Sequence, residues 1–162
     1  MKIVSNSYFI TGAEGAGKSS LVPLIKKRFP NIDVHDFDSV GVPPNPQLQW
    51  RLDTTLHWIK IALKNQEKNK STCIIGLSFP SEVEEFEESK KLNKILYCLL
   101  DMHEKERKKR LRKRNTPEMI EDLEQLNKLR EDFKQTKYKT NIIDTSNLSL
   151  NEVANEIIDW LR

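Results

Sequence analysis

The sequence contains the glycine-rich stretch GAEGAGKS, from Gly12 to Ser19. It fits the pattern G-x-x-x-x-G-K-[ST], follows a short apolar run at residues 7–11, and precedes a segment with helical character. Glycines let a backbone wrap closely around phosphate oxygens, and the amino end of the following helix favours negative charge. The motif therefore predicts a loop that binds the phosphates of a nucleotide.

The residues of this loop can be given roles from phosphate chemistry. Backbone amides from about Glu14 to Ser19 are expected to point at phosphate oxygens. Lys18 would reach the β- and γ-phosphates, and the Ser19 hydroxyl would bind Mg²⁺. The predicted nucleotide contacts are Gly12, Glu14, Gly15, Ala16, Gly17, Lys18, Ser19 and Ser20.

Length and composition limit the kind of protein that carries this loop. The 162 residues include 27 basic and 24 acidic side chains, with 37% hydrophobic residues, which suits one globular domain over residues 1–162. The net charge of +3 is too small to require a nucleic acid. No apolar run approaches the roughly 20 residues of a membrane span, and the first residues lead into a strand pattern instead of a signal peptide. We therefore expect a cytoplasmic protein, with Cys73 and Cys98 buried and reduced in their apolar runs.

Strand and helix patterns alternate along the chain. Strand patterns cover residues 7–11, 32–38, 71–79, 95–100 and 140–146. Helical spacing covers residues 17–29, 46–69, 104–114, 117–135 and 149–160, with Thr116-Pro117 and Ser149 as helix starts. This alternation predicts an α/β protein with three layers, a five-stranded parallel sheet covered by helices on both faces. In such folds, ligands bind outside the carboxyl ends of the strands.

Two acidic residues end the second strand pattern. Asp36 and Asp38, in the stretch VHDFDSVGVPP, are two positions apart, so on a strand both side chains would lie on one face, about 7 Å apart. The third strand pattern, TCIIGLSF, ends without an acid that could serve Mg²⁺ beside the loop. Asp36 is the best-placed carboxylate for the metal or its water shell.

Two runs of charge stand out from the rest of the sequence. Residues 105–114, KERKKRLRKR, contain eight Lys or Arg in ten positions. Residues 82–88, EVEEFEE, have the opposite sign and are predicted to be a solvated helical face.

Taken together, the segments GAEGAGKS, DFD, LLDMHEKERKKRLRKR and IIDTSNLSLNEVANEII resemble the nucleoside and nucleotide kinase-like group of P-loop proteins. The resemblance is to small phosphotransferases of the shikimate, gluconate and adenylate kinase type, and it covers nearly the whole chain. It implies a P-loop NTPase fold with a short lid at about residues 110–120, and ATP and Mg²⁺ as cofactors. The chain lacks the double-glycine motif of shikimate kinases after the third strand and the longer lid of many adenylate kinases.

The resemblance also implies roles for individual residues. It places Asp36 on the metal side and Asp38 on an acceptor hydroxyl, and it makes Arg110 and Arg114 lid arginines at the γ-phosphate. Residues that would border the base are Thr145, Ser146, Asn147 and Leu148. The helix at about 46–69 would border the acceptor, and the candidate acceptor contacts are Trp50, Arg51 and Arg130.

The leading functional prediction is ATP-dependent transfer of the γ-phosphate to a hydroxyl of a small metabolite or nucleoside, with Asp38 accepting the proton. A nucleoside monophosphate kinase is the alternative in the same class, because a monophosphate acceptor needs no base but does need a cation such as Arg51. An alternative of another class is a slow ATPase switch or adaptor that binds a protein or RNA through residues 105–114. No aromatic residues interleave with that basic run, so a small-molecule acceptor is favoured over a nucleic acid.

Overall fold

The computed structural model describes residues 4–115 and 120–162. Within them, the strands are β1 (Ser7–Gly12), β2 (Asp33–Asp36), β3 (Thr72–Ile75), β4 (Ile95–Asp101) and β5 (Lys139–Asp144). The α-helices are α1 (Lys18–Arg28), α2 (Leu48–Glu67), α3 (Pro80–Glu85), α4 (Glu104–Lys113), α5 (Ile120–Gln135) and α6 (Leu150–Leu161). Short 3₁₀ helices cover Phe37–Val40 and Glu87–Lys91. The predicted helix start at Thr116-Pro117, and with it part of the predicted lid, lies outside the described residues.

The five strands form one sheet in the order β2-β3-β1-β4-β5, and every pairing is parallel. β1 lies at the centre, where Ile10 pairs with Ile75 of β3 on one side and with Cys98 of β4 on the other. All six residues of β1 are buried, as expected for a strand with neighbours on both edges and helices on both faces. The predicted α/β fold with a five-stranded parallel sheet is confirmed.

Helices cover both faces of this sheet. On one face, Ile25 of α1 and Ile157 of α6 belong to the same buried cluster as the inward side chains of β1 and β4. On the other face, Ile59 of α2 and Leu129 of α5 belong to a second cluster. The sheet therefore separates two hydrophobic cores, in agreement with the three layers predicted from the sequence.

Two expectations drawn from composition can be compared with the structure. Cys73 and Cys98 are both buried and free, as predicted. Among the helices of the described ranges, none is long and apolar enough to cross a membrane.

The sheet order creates a switch point between β1 and β4. These strands are neighbours, but α1 leads the chain from β1 to β2 at one edge, whereas α4 and α5 lead it from β4 to β5 at the other edge. A crevice opens at the carboxyl ends of strands where the connections diverge in this way. The glycine-rich loop after β1 lies at this point.

The second strand is shorter than the pattern predicted. β2 ends at Asp36, because the Asp36 carboxylate accepts a hydrogen bond from the Asp38 amide at 2.9 Å and starts the 3₁₀ helix Phe37–Val40. The prediction that both acids lie on one face of a strand is therefore wrong, since Asp38 has already left the strand.

The third strand also ends early, at Ile75. A side chain at Gly76 would lie 2.2 Å from the Cβ of Phe37, so only glycine allows this close approach. Two residues later, the Ser78 amide donates to the Thr11 hydroxyl at 3.0 Å and holds the chain beside β1. These contacts turn the chain toward α3.

Candidate active site

The glycine-rich loop has the backbone geometry that a phosphate loop requires. Gly15 and Gly17 have φ angles of 87° and 81°, a left-handed region that side chains other than glycine rarely adopt. Gly17 is the N-cap of α1, and no side chain in the described part of the chain caps this helix end. The first turn of α1 carries no acidic residue, so its amides and the positive end of its dipole are available to an anion.

Lys18 is held inside the loop. Its Nζ donates to the backbone oxygens of Gly12 at 2.6 Å and Ala13 at 2.8 Å. Burial lowers the pKa of Lys18 to about 8, and the nearby carboxylates of Glu14 and Asp38 oppose this shift only in part. A bound phosphate would place a negative charge next to this buried ammonium and stabilise its protonated form.

A cavity of about 150 Å³ lies directly over the loop. Lys18, Ser19, Asp38 and Arg114 line it together with Glu14 and the loop glycines. The structure therefore brings a lysine, a hydroxyl and a carboxylate, the groups that a phosphate and its metal ion need, to one small space. The Ser19 hydroxyl and an acidic side chain also suit Mg²⁺, which takes one or two protein oxygens and completes its shell with phosphate and water.

The two acids of the DFD stretch differ in their surroundings. Asp38 lines the cavity. Burial raises the pKa of Asp38, repulsion from Asp36 raises it by a smaller amount, and the positive charge of Lys18 opposes the rise. Asp36 instead uses one carboxylate oxygen to cap the turn that carries Asp38. Of these two acids, Asp38 is therefore the one at the loop, and Asp36 acts on it through both a hydrogen bond and charge.

A larger cavity of about 420 Å³ adjoins the loop on the side of α4 and α6. Gly15, Gly17 and Ser20 of the loop region, Arg110 and Arg114 of the basic run, and Leu148 line it. Of the residues expected to border the base, Leu148 lines this cavity. Thr145 and Ser146 are buried and act as supports, since Thr145 Oγ1 donates to the Asp101 backbone oxygen and Ser146 Oγ accepts from the His103 amide. Asn147 is exposed.

The two predicted lid arginines are placed differently. Arg110 donates to the backbone oxygen of Thr145 at 2.7 Å and pairs with Glu106 at 3.1 Å, which ties α4 to the loop before α6. Arg114 lines both cavities and lies 4.0 Å from the carboxylate of Glu14. Arg114 is thus the arginine at the phosphate loop, whereas Arg110 in this structure supports the larger cavity.

The predicted acceptor contact Arg51 is bound to a buried acid. Its guanidinium donates to both oxygens of Glu82, at 2.8 and 2.9 Å, and Lys128 binds the same carboxylate at 3.0 Å. Both cations also lie over the Phe79 ring, 4.7 and 4.3 Å from its centroid. Glu82 is only 5% exposed, so the prediction that residues 82–88 form a solvated face is wrong at this position. Trp50, next to Arg51, is half-buried and packs edge-on against Phe37.

Arg130, the other predicted acceptor contact, is also paired. Its guanidinium donates to the Asp101 carboxylate at 2.8 Å and to the Met102 backbone oxygen at 3.2 Å. Asp101 is the last residue of β4, so this pair lies at the carboxyl edge of the sheet beside the switch point. The cation is near the predicted site, but its charge is already matched.

Three residues of this region were missed by the sequence interpretation. Asp101 was open to detection, because it directly follows an apolar strand pattern, as Asp36 does. Glu82 and Lys128 gave no local signal, because their pairing partners lie 31 and 46 residues away in sequence.

Comparison with known structures supports the fold. A sugar kinase from Janibacter sp. HTCC2649 matches with a TM-score of 0.74 at 13% identity, over 97% of this chain and 94% of that chain. A gluconokinase from Sinorhizobium meliloti 1021 matches with a TM-score of 0.61 at 18% identity, over 99% of this chain and 93% of that chain. An APS kinase from Mycobacterium tuberculosis, in complex with AMPPNP and APS, matches with a TM-score of 0.58 at 15% identity, over 98% of both chains.

The chain has the fold of the P-loop kinases. The resemblance found in the sequence is thereby confirmed at the level of the fold. No family model matches the chain, and no curated protein matches it in sequence. Activity and substrate must therefore be argued from the side chains of the site.

Proposed function

We propose that the protein is an ATP-dependent kinase that transfers the γ-phosphate to a hydroxyl group of a small metabolite. The observation that carries this proposal is the position of Asp38, which faces Lys18 and Ser19 across a common cavity of about 150 Å³. A carboxylate beside a phosphate loop repels a phosphate but accepts the proton of an alcohol. Asp38 therefore suits a hydroxyl nucleophile that waits next to the γ-phosphate.

In this proposal the loop holds the donor and Asp38 holds the acceptor. The loop amides and Lys18 would bind the β- and γ-phosphates, and Arg114 would add charge when the site closes. Ser19 would contribute a ligand to Mg²⁺ and Asp36 a carboxylate toward its water shell, and the ion would supply positive charge at the phosphates. Asp38 would orient the hydroxyl and take its proton late in the transfer, because the transition state is loose. Its raised pKa makes it a better proton acceptor than an ordinary aspartate.

The pairing of the acceptor-side arginines favours a hydroxyl over a nucleoside monophosphate. Arg51 donates to both oxygens of Glu82, a carboxylate that it shares with Lys128, and Arg130 pairs with Asp101. A monophosphate acceptor needs unmatched cations to offset the charge of Asp36 and Asp38. Each arginine is bound to a carboxylate in this arrangement and would have to leave it to hold a monophosphate.

The test is a panel of acceptors that includes sugars, cyclitols, nucleosides and nucleoside monophosphates, each assayed for transfer of labelled γ-phosphate from ATP. We expect turnover on at least one alcohol, and a loss of about 100-fold or more in kcat for Asp38→Asn. Asp53→Asn is a matched control, because Asp53 is exposed on α2 and, among the described residues, bonds only Gln49. Turnover confined to monophosphates and unaffected by Asp38→Asn would contradict the proposal.

A further inference from the structure

The larger cavity beside the phosphate loop, of about 420 Å³, contains one acid among many bases. Its basic lining residues are Lys109, Arg110, Lys113 and Arg114. Among the described residues that line it, Glu106 alone is acidic. A carboxylate repels the phosphates of a nucleotide, so Glu106 needs a different contact if a nucleotide fills this cavity.

The helix α4 places Glu106 far from the phosphate end of the cavity. Arg114 lines both this cavity and the one over the loop, so the phosphates would lie at the Arg114 end. Glu106, Arg110 and Arg114 follow each other at intervals of four residues, which puts them along one face of α4 and its C-cap. Eight residues of helix span about 12 Å. Glu106 therefore lies at the opposite end of the cavity from Arg114.

The start of α6 gives the cavity an apolar wall that suits an aromatic ring. Leu148, Leu150 and Val153 line this wall. Leu150 is 42% exposed, and its Cδ1 would lie 4.0 Å from a Cβ at Gly17. A base placed against the wall would remove this apolar surface from water, whereas phosphates would gain nothing from it. The base of a nucleotide is therefore the part that fits beside α6.

Hydrogen bonds hold the amino-terminal half of α4 against the same loop before α6. The His103 amide donates to Ser146 Oγ at 2.8 Å, and Arg110 donates to the Thr145 backbone oxygen at 2.7 Å. Glu106 lies between His103 and Arg110 in this half of the helix. The carboxylate is therefore positioned at the edge of the space that a base would occupy.

Glu106 offers one hydrogen-bond acceptor to this space. Its Oε1 accepts from Nε of Arg110 at 3.1 Å, and in the described part of the chain no donor reaches Oε2. The side chain is 28% exposed. Adenine carries an amino group at position 6, which donates, whereas guanine carries a carbonyl oxygen there, which accepts. A single carboxylate oxygen therefore attracts this edge of adenine and repels the same edge of guanine.

We propose that Glu106 determines the base specificity of the nucleotide site by accepting a hydrogen bond from the 6-amino group of adenine. The inference rests on the proposed function in taking a nucleoside triphosphate as donor, but it does not depend on which acceptor is phosphorylated. Glu106 keeps its bond to Arg110 in this role, because the two contacts use different oxygens.

The experiment measures nucleotide affinity by calorimetry without an acceptor, so its result does not depend on kinase activity. The probes are ATP, GTP, inosine triphosphate, which has a carbonyl oxygen at position 6, and purine riboside triphosphate, which has only hydrogen there. We expect ATP to bind at least about tenfold more tightly than each of the others, because they lack the donor to a charged acceptor. Equal affinities, or tighter binding of GTP, would overturn the proposal. Failure of every nucleotide to bind would overturn the proposed function together with it.

Variants separate base selection from support of α4. Glu106→Gln keeps an oxygen for Arg110, removes the charge and adds an amide that can donate to a carbonyl oxygen. The preference for ATP over inosine triphosphate should therefore fall to less than about threefold. A residue that only supported Arg110 would weaken both nucleotides by the same factor and leave this ratio unchanged, which would contradict the proposal whatever the kinase assays show. Glu104→Gln is the matched control, because Glu104 pairs with Lys108 at 3.1 Å on the same helix and does not line the cavity.

Discussion

The donor side and the acceptor side of the candidate active site are built from the chain in opposite ways. The donor side is one continuous segment, Gly12 to Ser19, whose geometry depends on two left-handed glycines and the start of α1. The acceptor side joins the turn after β2 to side chains of α2, α3 and α5, and its central ion pairs span 31 and 46 residues. The first is a local structure, and the second exists only when the helices pack.

The two sides also differ in how their charges are matched. Lys18 is buried against backbone oxygens, which are dipoles and not full negative charges. Arg51, Lys128 and Arg130 each contact a carboxylate. The donor side is thus prepared for an anion, whereas the cations of the acceptor side are already engaged. A basic residue near a phosphate loop is therefore available to a phosphate only if no carboxylate already holds it.

The largest expected effect tests the donor side. Lys18→Met should reduce phosphoryl transfer by at least about 100-fold in kcat, because the charge next to the transferred phosphate is lost. Its thermal unfolding should be unchanged or occur at a higher temperature, because a desolvated charge is removed. Lys27→Met, on an exposed position of the same helix, is the control. Full activity in Lys18→Met would disprove the phosphate-loop assignment.

The next effect concerns stability on the acceptor side. Glu82→Gln should lower the free energy of unfolding by about 2 kcal/mol, because Arg51 and Lys128 lose a buried partner. Glu87→Gln, which disrupts only the exposed pair with Lys90, should cause no measurable change. Urea unfolding of both variants gives the comparison. Equal effects would mean that the buried cluster is no stronger than a surface pair.

The pH dependence of nucleotide affinity tests whether Lys18, on the donor side, must be protonated to bind a phosphate. The pKa of Lys18 is about 8 without ligand, and a bound phosphate should raise it. Nucleotide therefore binds the protonated form, so affinity is full below pH 8 and falls above it by up to about tenfold per pH unit. Calorimetry with a non-hydrolysable ATP analogue between pH 7 and 9.5 measures this slope. The slope should vanish in Lys18→Met, and a flat profile in the unaltered protein would refute the coupling.

The smallest expected effect distinguishes the role of Asp36 from that of Asp38. Asp36→Asn keeps an oxygen for the Asp38 amide but removes the charge that helps to raise the pKa of Asp38. Since Asp38 acts in its ionised form, the acid limb of the pH–rate profile should move to lower pH, whatever happens to the plateau. Asp33→Asn is the control, because Asp33 bonds His35 and Asn65 and does not line the site. An acid limb that stays in place would show that Asp36 does not tune Asp38.

Particular residues show where prediction from the sequence succeeds and where it ends. Apolar runs correctly predicted the interiors of all five strands, but β2 and β3 end earlier in the structure than their sequence patterns do. The β2 error arose because the Asp36 side chain competes for a backbone amide, and the β3 error because Phe37 packs against Gly76. Neither contact alters the alternation of apolar residues from which strands are predicted.

The glycine-rich loop and the five-stranded parallel sheet could be predicted from the sequence alone. These features follow from neighbouring residues, because glycine conformations, helix starts and apolar runs act over a few positions. Three features became visible in the folded chain: Asp38 and not Asp36 lines the loop cavity, Arg110 donates to the Thr145 backbone oxygen, and Glu82 is buried. Such partnerships join residues that are distant in sequence, so they depend on how helices pack against the sheet and on which charges must be matched once water is excluded.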